Sequence, residues 1–367
     1  MPTPQAIIGM LGDSRIAENM STMPQHGCPS AGQSYEFVGT TPSWIDEVTP
    51  GDTNWFSDVG LQYFAGQGLT WGAIPGGDSG TNLLSHWDPG VSDSSWTKFT
   101  TKYATAGSPS LAYGICLLGP NSIQTTSSWT KADIITAYQN LGDAFHALNG
   151  APLLYLDIMS EKDAVGAGFS GGFSDPAYIL QMNTYRQAVL DVVNTHSLRM
   201  GPNLTGQVYA DHTHFDSTTL ATIVGKLSYL AQASSTRGPQ VSSLTIDSTK
   251  KILRLTPNQD LGNSVSSSVG GFRFFDGASD VTGNLSSAVV TSARLITFTL
   301  SVAIAGTPTV SFASGSDAVG ATMPTSTAQT PPSGATLTIP MEPFFGHAVT
   351  NFVPPGVKAG VFAGVAR

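Results

Sequence analysis

The chain carries little charge, and charge of neither sign is concentrated anywhere along it. Only 11% of its 367 residues are Asp, Glu, Lys or Arg, and the net charge is −9. Phosphate binding depends on clustered cations, and the 16 Lys and Arg residues form no run, so we expect no nucleic-acid partner. A surface solvated by hydroxyls and amides is common in secreted proteins. We therefore expect an extracellular or cell-surface protein, with a virion-associated one as a variant.

Long apolar runs are absent as well. No stretch approaches the roughly 18–20 apolar residues that a membrane-spanning helix needs. The first residues also lack a charged segment followed by a long apolar one, so no signal peptide is predicted. Hydrophobic residues nevertheless make up 40% of the chain, which is enough for packed cores. A chain of this length favours two domains.

Cysteine is scarce, with two residues in the whole chain, Cys28 and Cys116. One disulfide between them is conceivable. Cys116, however, lies inside an apolar, strand-like run, where a buried thiol is the commoner arrangement. We favour the thiol and keep the disulfide as the alternative.

The first part of the chain, residues 1–235, alternates short apolar runs with segments of helical spacing. This alternation predicts an α/β fold with a parallel sheet. Strands are predicted at 6–11, 111–118, 152–158 and 206–210, and helices at 131–148, 178–193 and 218–230. Residues 21–68 show few periodic signals and are expected to be rich in loops. All six tryptophans fall in this part of the chain.

The second part, residues 236–367, has a different sequence pattern. Residues 233–239 form a candidate linker rich in Ser, Gly and Pro. Short β-rich segments then recur between turn residues, and we see no helical period among them, which predicts an all-β sandwich. Phe272, Phe274 and Phe275 are interpreted as core residues of this sandwich, not as a binding platform.

Two short motifs in the first domain point to nucleophilic catalysis. Gly12-Asp13-Ser14 directly follows the first predicted strand, and Asp211 and His214 stand three residues apart near the end of the same domain. In a Ser-His-Asp triad the serine attacks, the histidine takes its proton, and the aspartate orients the imidazole. Each motif alone is typical of an ordinary turn. Their combination predicts a hydrolase.

With two further segments, residues 77–84 and residues 118–121, the first domain resembles the SGNH (GDSL-type) hydrolase family. The four blocks occur in the family's order and cover roughly residues 5–232. The resemblance implies a three-layer α/β/α fold with a flavodoxin-like parallel sheet, a Ser14–His214–Asp211 triad and no cofactor. The β-rich remainder is similar to accessory or adhesion-type modules.

The resemblance also implies an oxyanion hole. Its donors would be the backbone N–H groups of Ser14 and Gly77 and the side-chain amide of Asn121. Gly77 is expected to reach the sheet edge from a loop, and Gly80 is an alternative donor. The family usually has an acidic residue where this chain has Ser122, so the hydrogen bonding of that loop is expected to differ.

Two rival sites can be set against the triad, and both are disfavoured. Residues 77–80, Gly-Asp-Ser-Gly, also resemble the nucleophile loop of trypsin-like proteases, but the upstream Ala-Ala-His-Cys motif and a barrel pattern are missing. His212 and His214, with Asp211, form a cluster that could bind zinc, yet no third histidine is evident. We expect a metal-independent site.

The expected function is a serine esterase that removes O-acyl groups, with O-acetyl groups favoured, from a carbohydrate. An acylated polysaccharide would be its substrate. The alternatives are a lipid or small-molecule esterase of the same fold, and a non-catalytic surface or virion binding module. The sequence does not indicate an oligomeric state.

Overall fold

The computed structural model describes residues 3–12, 34–38, 43–46, 69–78, 80–91, 94–118, 128–157, 168–193, 195–203, 238–314, 322–328 and 338–351. The predicted strand at 206–210, the predicted helix at 218–230 and the predicted domain boundary at 235/236 lie outside these residues. The two-domain division therefore stays a prediction. No helix in the described ranges combines the length and the apolar character that a membrane span requires.

A seven-stranded sheet forms the first part of the molecule, with the order β3-β2-β4-β1-β5-β6-β7. Neighbouring strands run parallel, except for the antiparallel edge pair β2–β3. The strands are β1 (Ala6–Gly12), β2 (Ser34–Val38), β3 (Ser43–Asp46), β4 (Trp71–Gly77), β5 (Tyr113–Leu117), β6 (Leu153–Asp157) and β7 (Leu198–Asn203). Without the β2–β3 hairpin, the order is that of a flavodoxin-like sheet.

The described residues of this part include three α-helices: α1 (Ser95–Thr105), α2 (Lys131–Asn149) and α3 (Pro176–Val192). Each begins at a side chain that accepts a hydrogen bond from the first turn, namely Ser94, Thr130 and Asp175. A short π-helix, Leu83–Trp87, follows β4.

Strand β1 is buried along its whole length, which explains its continuous apolar sequence. Phe99 of α1 and Phe145 of α2 crowd the position where a Cβ on Gly9 would lie, so both helices cover that face. Ile8 and Met10, whose side chains point to the opposite face, have no exposed surface either. The sheet is therefore covered on both faces, as a three-layer α/β/α fold requires.

The second part of the molecule contains two sheets of mainly antiparallel strands, with the orders β11-β10-β14-β15 and β12-β13-β9-β8-β16. The strands are β8 (Val241–Ile246), β9 (Ile252–Pro257), β10 (Phe272–Asp276), β11 (Ser279–Asp280), β12 (Leu285–Ser292), β13 (Leu295–Leu300), β14 (Pro308–Phe312), β15 (Phe344–Ala348) and β16 (Thr350–Asn351). Among the described strands of this second part, β8 and β16 are the pair that runs parallel.

The predicted all-β character of the second part is confirmed. Phe272 and Phe274 are buried in one core cluster with Phe298 of the other sheet, so the two sheets share an interior. Phe275 is only half-buried, because it points to the other side of β10. Two of the three phenylalanines are thus core residues, as predicted.

Several elements of the first part were not predicted. β2 and β3 lie inside residues 21–68, which the sequence suggested were loop-rich, and that expectation was wrong for these two segments. β4, α1 and β7 were also missed. The interpretation of Cys116 is confirmed: it is buried and carries a thiol, not a disulfide.

Helix α3 joins the two parts of the molecule. Asn183 donates from its side-chain amide to the Ser314 hydroxyl at 2.8 Å, and the Arg186 guanidinium donates to the Ala313 carbonyl. The same guanidinium lies 4.8 Å from the centre of the Phe345 ring. Arg186 has no exposed surface. Burial of a whole guanidinium marks this as a packed junction.

Candidate functional site

Three neighbouring strands end in one row at the carboxyl edge of the first sheet. Gly12, the last residue of β1, pairs with Gly77 of β4 on one side and with Leu117 of β5 on the other. Strands β2, β3 and β4 lie on one side of β1 and strands β5, β6 and β7 on the other, so the strand order reverses at β1. Open α/β sheets bind their ligands at this point.

Each of these three strands leads directly into one predicted block of site residues. Ser14 comes two residues after Gly12, and Asn121 comes four residues after Leu117. Ser14 and Asn121 themselves lie outside the described residues, as do Asp211 and His214. Of the predicted site residues, the structure describes Gly77.

The position of Gly77 corrects the sequence prediction. We expected this glycine in a loop, but it is the last residue of β4, directly beside Gly12. The signal was hidden because Gly72, Pro75 and Gly76 give β4 a sequence unlike that of a strand. The β2–β4 ladder reaches only Ala73, so Gly77 lies beyond the β2 pairs.

Asp78 fastens the end of β4 to its neighbours. Its backbone N–H donates to the Gly12 carbonyl at 3.0 Å, which links the second block to the last residue before Asp13-Ser14. Its carboxylate accepts hydrogen bonds from the Ser95 hydroxyl at 2.8 Å and from the Lys98 ammonium at 2.6 Å, both on α1. Asp78 thus fixes the loop after Gly77 on two sides.

The protonation state of Asp78 favours this role. Burial by itself would raise its pKa, but the hydrogen bonds from Lys98 and Ser95 and the positive charge of Lys98 outweigh burial. The pKa of Asp78 therefore lies below its ordinary value of 3.8. The carboxylate is ionised at neutral pH and accepts both bonds.

The loop after Asp78 is held by a short chain of hydrogen bonds. The Thr81 hydroxyl donates to the Asp78 carbonyl at 2.6 Å, and the Trp87 indole N–H donates to the Thr81 oxygen at 3.0 Å. Gly80 has a φ of +74°, a left-handed conformation that glycine adopts without strain. Thr81 therefore links the residue after β4 to the buried Trp87.

A buried pair of tyrosines holds the start of the third block. The Tyr138 hydroxyl donates to the Leu118 carbonyl at 3.3 Å and lies 2.9 Å from the Tyr185 hydroxyl. Either hydroxyl of this pair can be the donor. Burial, followed by the neighbouring Tyr185, raises the pKa of Tyr138 well above 10.0, so it keeps its proton. Leu118 is three residues before Asn121.

The last described strand of the sheet, β7, ends at the same edge. Asn203 pairs with Asp157 in the parallel ladder, and Asp211 follows eight residues later. Three strand spacings of about 4.8 Å place β7 roughly 14 Å from β1. Eight residues can extend to about 26 Å. The chain after β7 is long enough to bring Asp211 and His214 to the end of β1.

Metal binding finds no support in the described ranges. They contain no group of three or more His, Cys, Asp or Glu residues that could hold an ion. The His212–His214 alternative lies outside these ranges.

Comparison with known proteins identifies the fold. The structure aligns with a carbohydrate acetylesterase from Xanthomonas citri with a TM-score of 0.63 and 14% identity, over 92% of this chain and 80% of that one. A carbohydrate acetylesterase from Sinorhizobium meliloti aligns with a TM-score of 0.39 and 13% identity, over 62% of this chain and 99% of that one. No protein-family model and no curated protein matches the chain.

The first part of the chain has the SGNH hydrolase fold. This confirms the fold that the resemblance implied. The alignment with the Xanthomonas citri protein covers so much of the chain that it extends into the β-rich part as well. At 14% identity the likeness concerns the fold alone, and activity must be argued from the residues.

Sequence reasoning missed the residues that support the ends of β4 and β5 at the candidate site. Asp78 belongs to the second block, but no pattern indicated its bonds to Ser95 and Lys98. Tyr138 was read only as an apolar position of a helix, and Tyr185 lies 47 residues away on another helix. The one available signal in the sequence was that both residues place a hydroxyl group among the apolar positions of a helix, where a buried hydroxyl needs a hydrogen-bond partner.

The support from Asp78 can be tested by Asp78→Asn. The asparagine amide carries no negative charge, so the ion pair with Lys98 is lost and the turn after Gly77 should loosen. We expect kcat for p-nitrophenyl acetate to fall about tenfold. Asp143→Asn, an exposed aspartate paired with His196, is the matched control and should leave kcat unchanged. An unchanged kcat in Asp78→Asn would contradict the role.

The lowered pKa of Asp78 predicts that the stability difference between the wild type and Asp78→Asn depends on pH. A lowered pKa in the folded state stabilises the protein above the ordinary value of 3.8, and this contribution is lost as pH falls through the lowered pKa. At pH 7 the wild type should therefore have the higher melting temperature. The difference in free energy of unfolding should be less than about 1 kcal/mol, because Lys98 is largely exposed. The difference should vanish in strong acid, as thermal melts across pH would show.

Proposed function

We propose that the chain is a serine ester hydrolase whose site lies at the ends of β1, β4 and β5. The observation that carries this proposal is the row formed by Gly12, Gly77 and Leu117, because each leads into one block of catalytic residues. Ser14 would be the nucleophile, His214 the general base and then acid, and Asp211 the residue that orients His214.

In the proposed reaction, the Ser14 oxygen attacks the ester carbonyl while its proton passes to His214. The carbonyl oxygen becomes an oxyanion, which would accept hydrogen bonds from the N–H groups of Ser14 and Gly77 and from the Asn121 amide. One such donor contributes roughly 3 kcal/mol to the barrier reduction. His214 then protonates the departing alcohol. Water attacks the acyl-serine in the same way and releases the carboxylic acid.

We propose a carbohydrate carrying O-acetyl groups as the substrate, and an extracellular or surface location. The protein with the TM-score of 0.63 is described as a carbohydrate acetylesterase, which supports the substrate class. The low charge of the chain supports the location. A lipid or small-molecule esterase of the same fold is the nearest alternative, and a non-catalytic surface module is the more distant one.

Acetate release from a panel of acetylated polysaccharides tests the substrate proposal. We expect release from at least one polysaccharide and, on p-nitrophenyl esters, a kcat/KM that falls steeply as the acyl chain grows beyond acetyl. A preference for long acyl chains would contradict the carbohydrate proposal and favour a lipid esterase. Turnover of no ester at all would favour the non-catalytic module.

A further inference from the structure

A cleft of about 310 Å³ opens at the junction between helix α3 and the β-rich part. Gln187 and Leu190 of α3 form one wall, and Gln240, Glu342, Phe345 and His347 of the β-rich part lie on the other sides. Binding sites for small molecules are commonly found at such junctions and begin at about this size. The volume equals that of roughly ten waters, enough for one sugar ring.

The walls of this junction cleft are fixed in place. The buried Arg186 bonds to Ala313 and covers the Phe345 ring, and Asn183 bonds to Ser314 at 2.8 Å, one turn before Gln187. These contacts hold α3 against the β-rich part on the side where the cleft opens. A preformed cleft does not spend binding free energy on ordering its own walls.

The polar groups of the junction cleft are also preoriented. The Gln240 amide donates to the Glu342 carboxylate at 2.7 Å and accepts from the Asn258 amide at 3.2 Å. The Gln187 amide donates to Asp191 at 2.8 Å. These hydrogen bonds fix the orientation of the amide groups on both sides of the cleft.

The charge of the junction cleft restricts its ligand. Among its described lining residues there is no lysine or arginine, and Glu342 contributes a carboxylate. Phosphates, carboxylates and other anions are therefore disfavoured. Planar amides and a carboxylate beside Leu190 and Phe345 suit a molecule that has hydroxyl groups on its edge and C–H groups on its face.

We infer that the junction cleft is a second binding site, for a neutral saccharide unit. It lies apart from the proposed catalytic site. α3 follows β6 and begins at the carboxyl edge of the sheet, so its C-terminal half, with Gln187 and Leu190, lies toward the opposite edge. Only the choice of a saccharide rests on the proposed function, since the site itself is defined by the cleft.

The test uses the full chain and two unacetylated probes, cellotetraose and xylotetraose, which lack an ester for the catalytic site. Saturation-transfer NMR should detect binding of at least one probe, and titration calorimetry should give its Kd. Gln187→Ala and His347→Ala, one on each side of the cleft, should each weaken that binding tenfold or more. Gln139→Ala and His146→Ala, on α2 away from the cleft, are matched controls and should bind as the wild type does.

Three outcomes would overturn the inference: no binding of either probe at millimolar concentration, unchanged binding in both cleft variants, or equal losses in the controls. Thermal melts would show that the variants are folded. The cleft variants should keep the wild-type kcat for p-nitrophenyl acetate. Failure of the esterase proposal would appear as activity retained in a Ser14→Ala variant, whereas failure of the cleft proposal would appear only in saccharide binding.

Discussion

Replacing Ser14 with alanine is expected to lower kcat for p-nitrophenyl acetate by about 10⁴-fold or more in a protein that remains folded. The serine oxygen forms the covalent bond to the acyl group, and no other group can substitute once it is removed. The loss should appear in kcat much more than in KM, because a methyl group in place of the hydroxyl leaves the rest of the pocket intact. Steady-state kinetics and a thermal melt measure both parts.

Ser79→Ala is the matched control for Ser14→Ala. Ser79 lies in the Gly-Asp-Ser-Gly segment that resembles a protease nucleophile loop, so it is the rival nucleophile. We expect this variant to keep most of the wild-type kcat. The reversed result, with activity retained in Ser14→Ala and lost in Ser79→Ala, would identify Ser79 as the nucleophile and contradict the mechanism.

The second large effect is expected at the junction between the two parts of the chain. Arg186→Ala removes a fully buried guanidinium, leaves the Ala313 carbonyl without this donor and opens a cavity against Phe345. Substitutions that break buried polar contacts cost about 3 kcal/mol or more. For 367 residues, with an unfolding entropy of about 2.1 cal/mol/K per residue, we expect the thermal midpoint to fall by roughly 4 °C or more.

Arg294→Ala provides the matched control for Arg186→Ala. Arg294 pairs with Asp260 at 2.5 Å, but its side chain is 61% exposed. Exposed ion pairs contribute less than about 1 kcal/mol, so the midpoint of this variant should barely change. Equal midpoints for the two variants would mean that the junction is not a stabilising contact and that the β-rich part is only tethered.

The elements that the sequence predicted well are those whose burial is uniform. β1 is apolar throughout because it is covered on both faces, and β5 has the same property. The β-rich part shows the alternation of buried and half-exposed positions that one covered face produces, as in β9. In these segments the local pattern and the final environment agree, so the pattern is informative.

The elements that were missed are those determined by distant contacts. A Cβ on Gly76 of β4 would lie 2.7 Å from both the Met10 carbonyl oxygen and the Phe99 ring. The packing around β4 therefore requires a glycine at this position, although glycine is unusual inside a strand. Helix α1 has only Trp96, Phe99 and Tyr103 as buried large side chains. That spacing fits a helix, yet it is too sparse to stand out among polar residues.

The candidate site likewise has parts that the sequence could predict and parts that it could not. The four blocks could be found in the sequence because each is a contiguous string of residues. The contacts that support them could not, because Asp78, Tyr138 and Tyr185 act on partners on other elements. The adjacency of β4, β1 and β5, on which the proposed oxyanion hole depends, became visible only in the sheet order.

Covalent labelling tests the central proposal, that Ser14 and His214 meet at the end of β1, most directly. The protein would be treated with a fluorophosphonate, digested and mapped by mass spectrometry. We predict one adduct, on the peptide that contains Ser14, and its loss in a folded His214→Ala variant, since the histidine activates the serine. An adduct on another serine, or undiminished labelling of Ser14 without His214, would contradict the proposal.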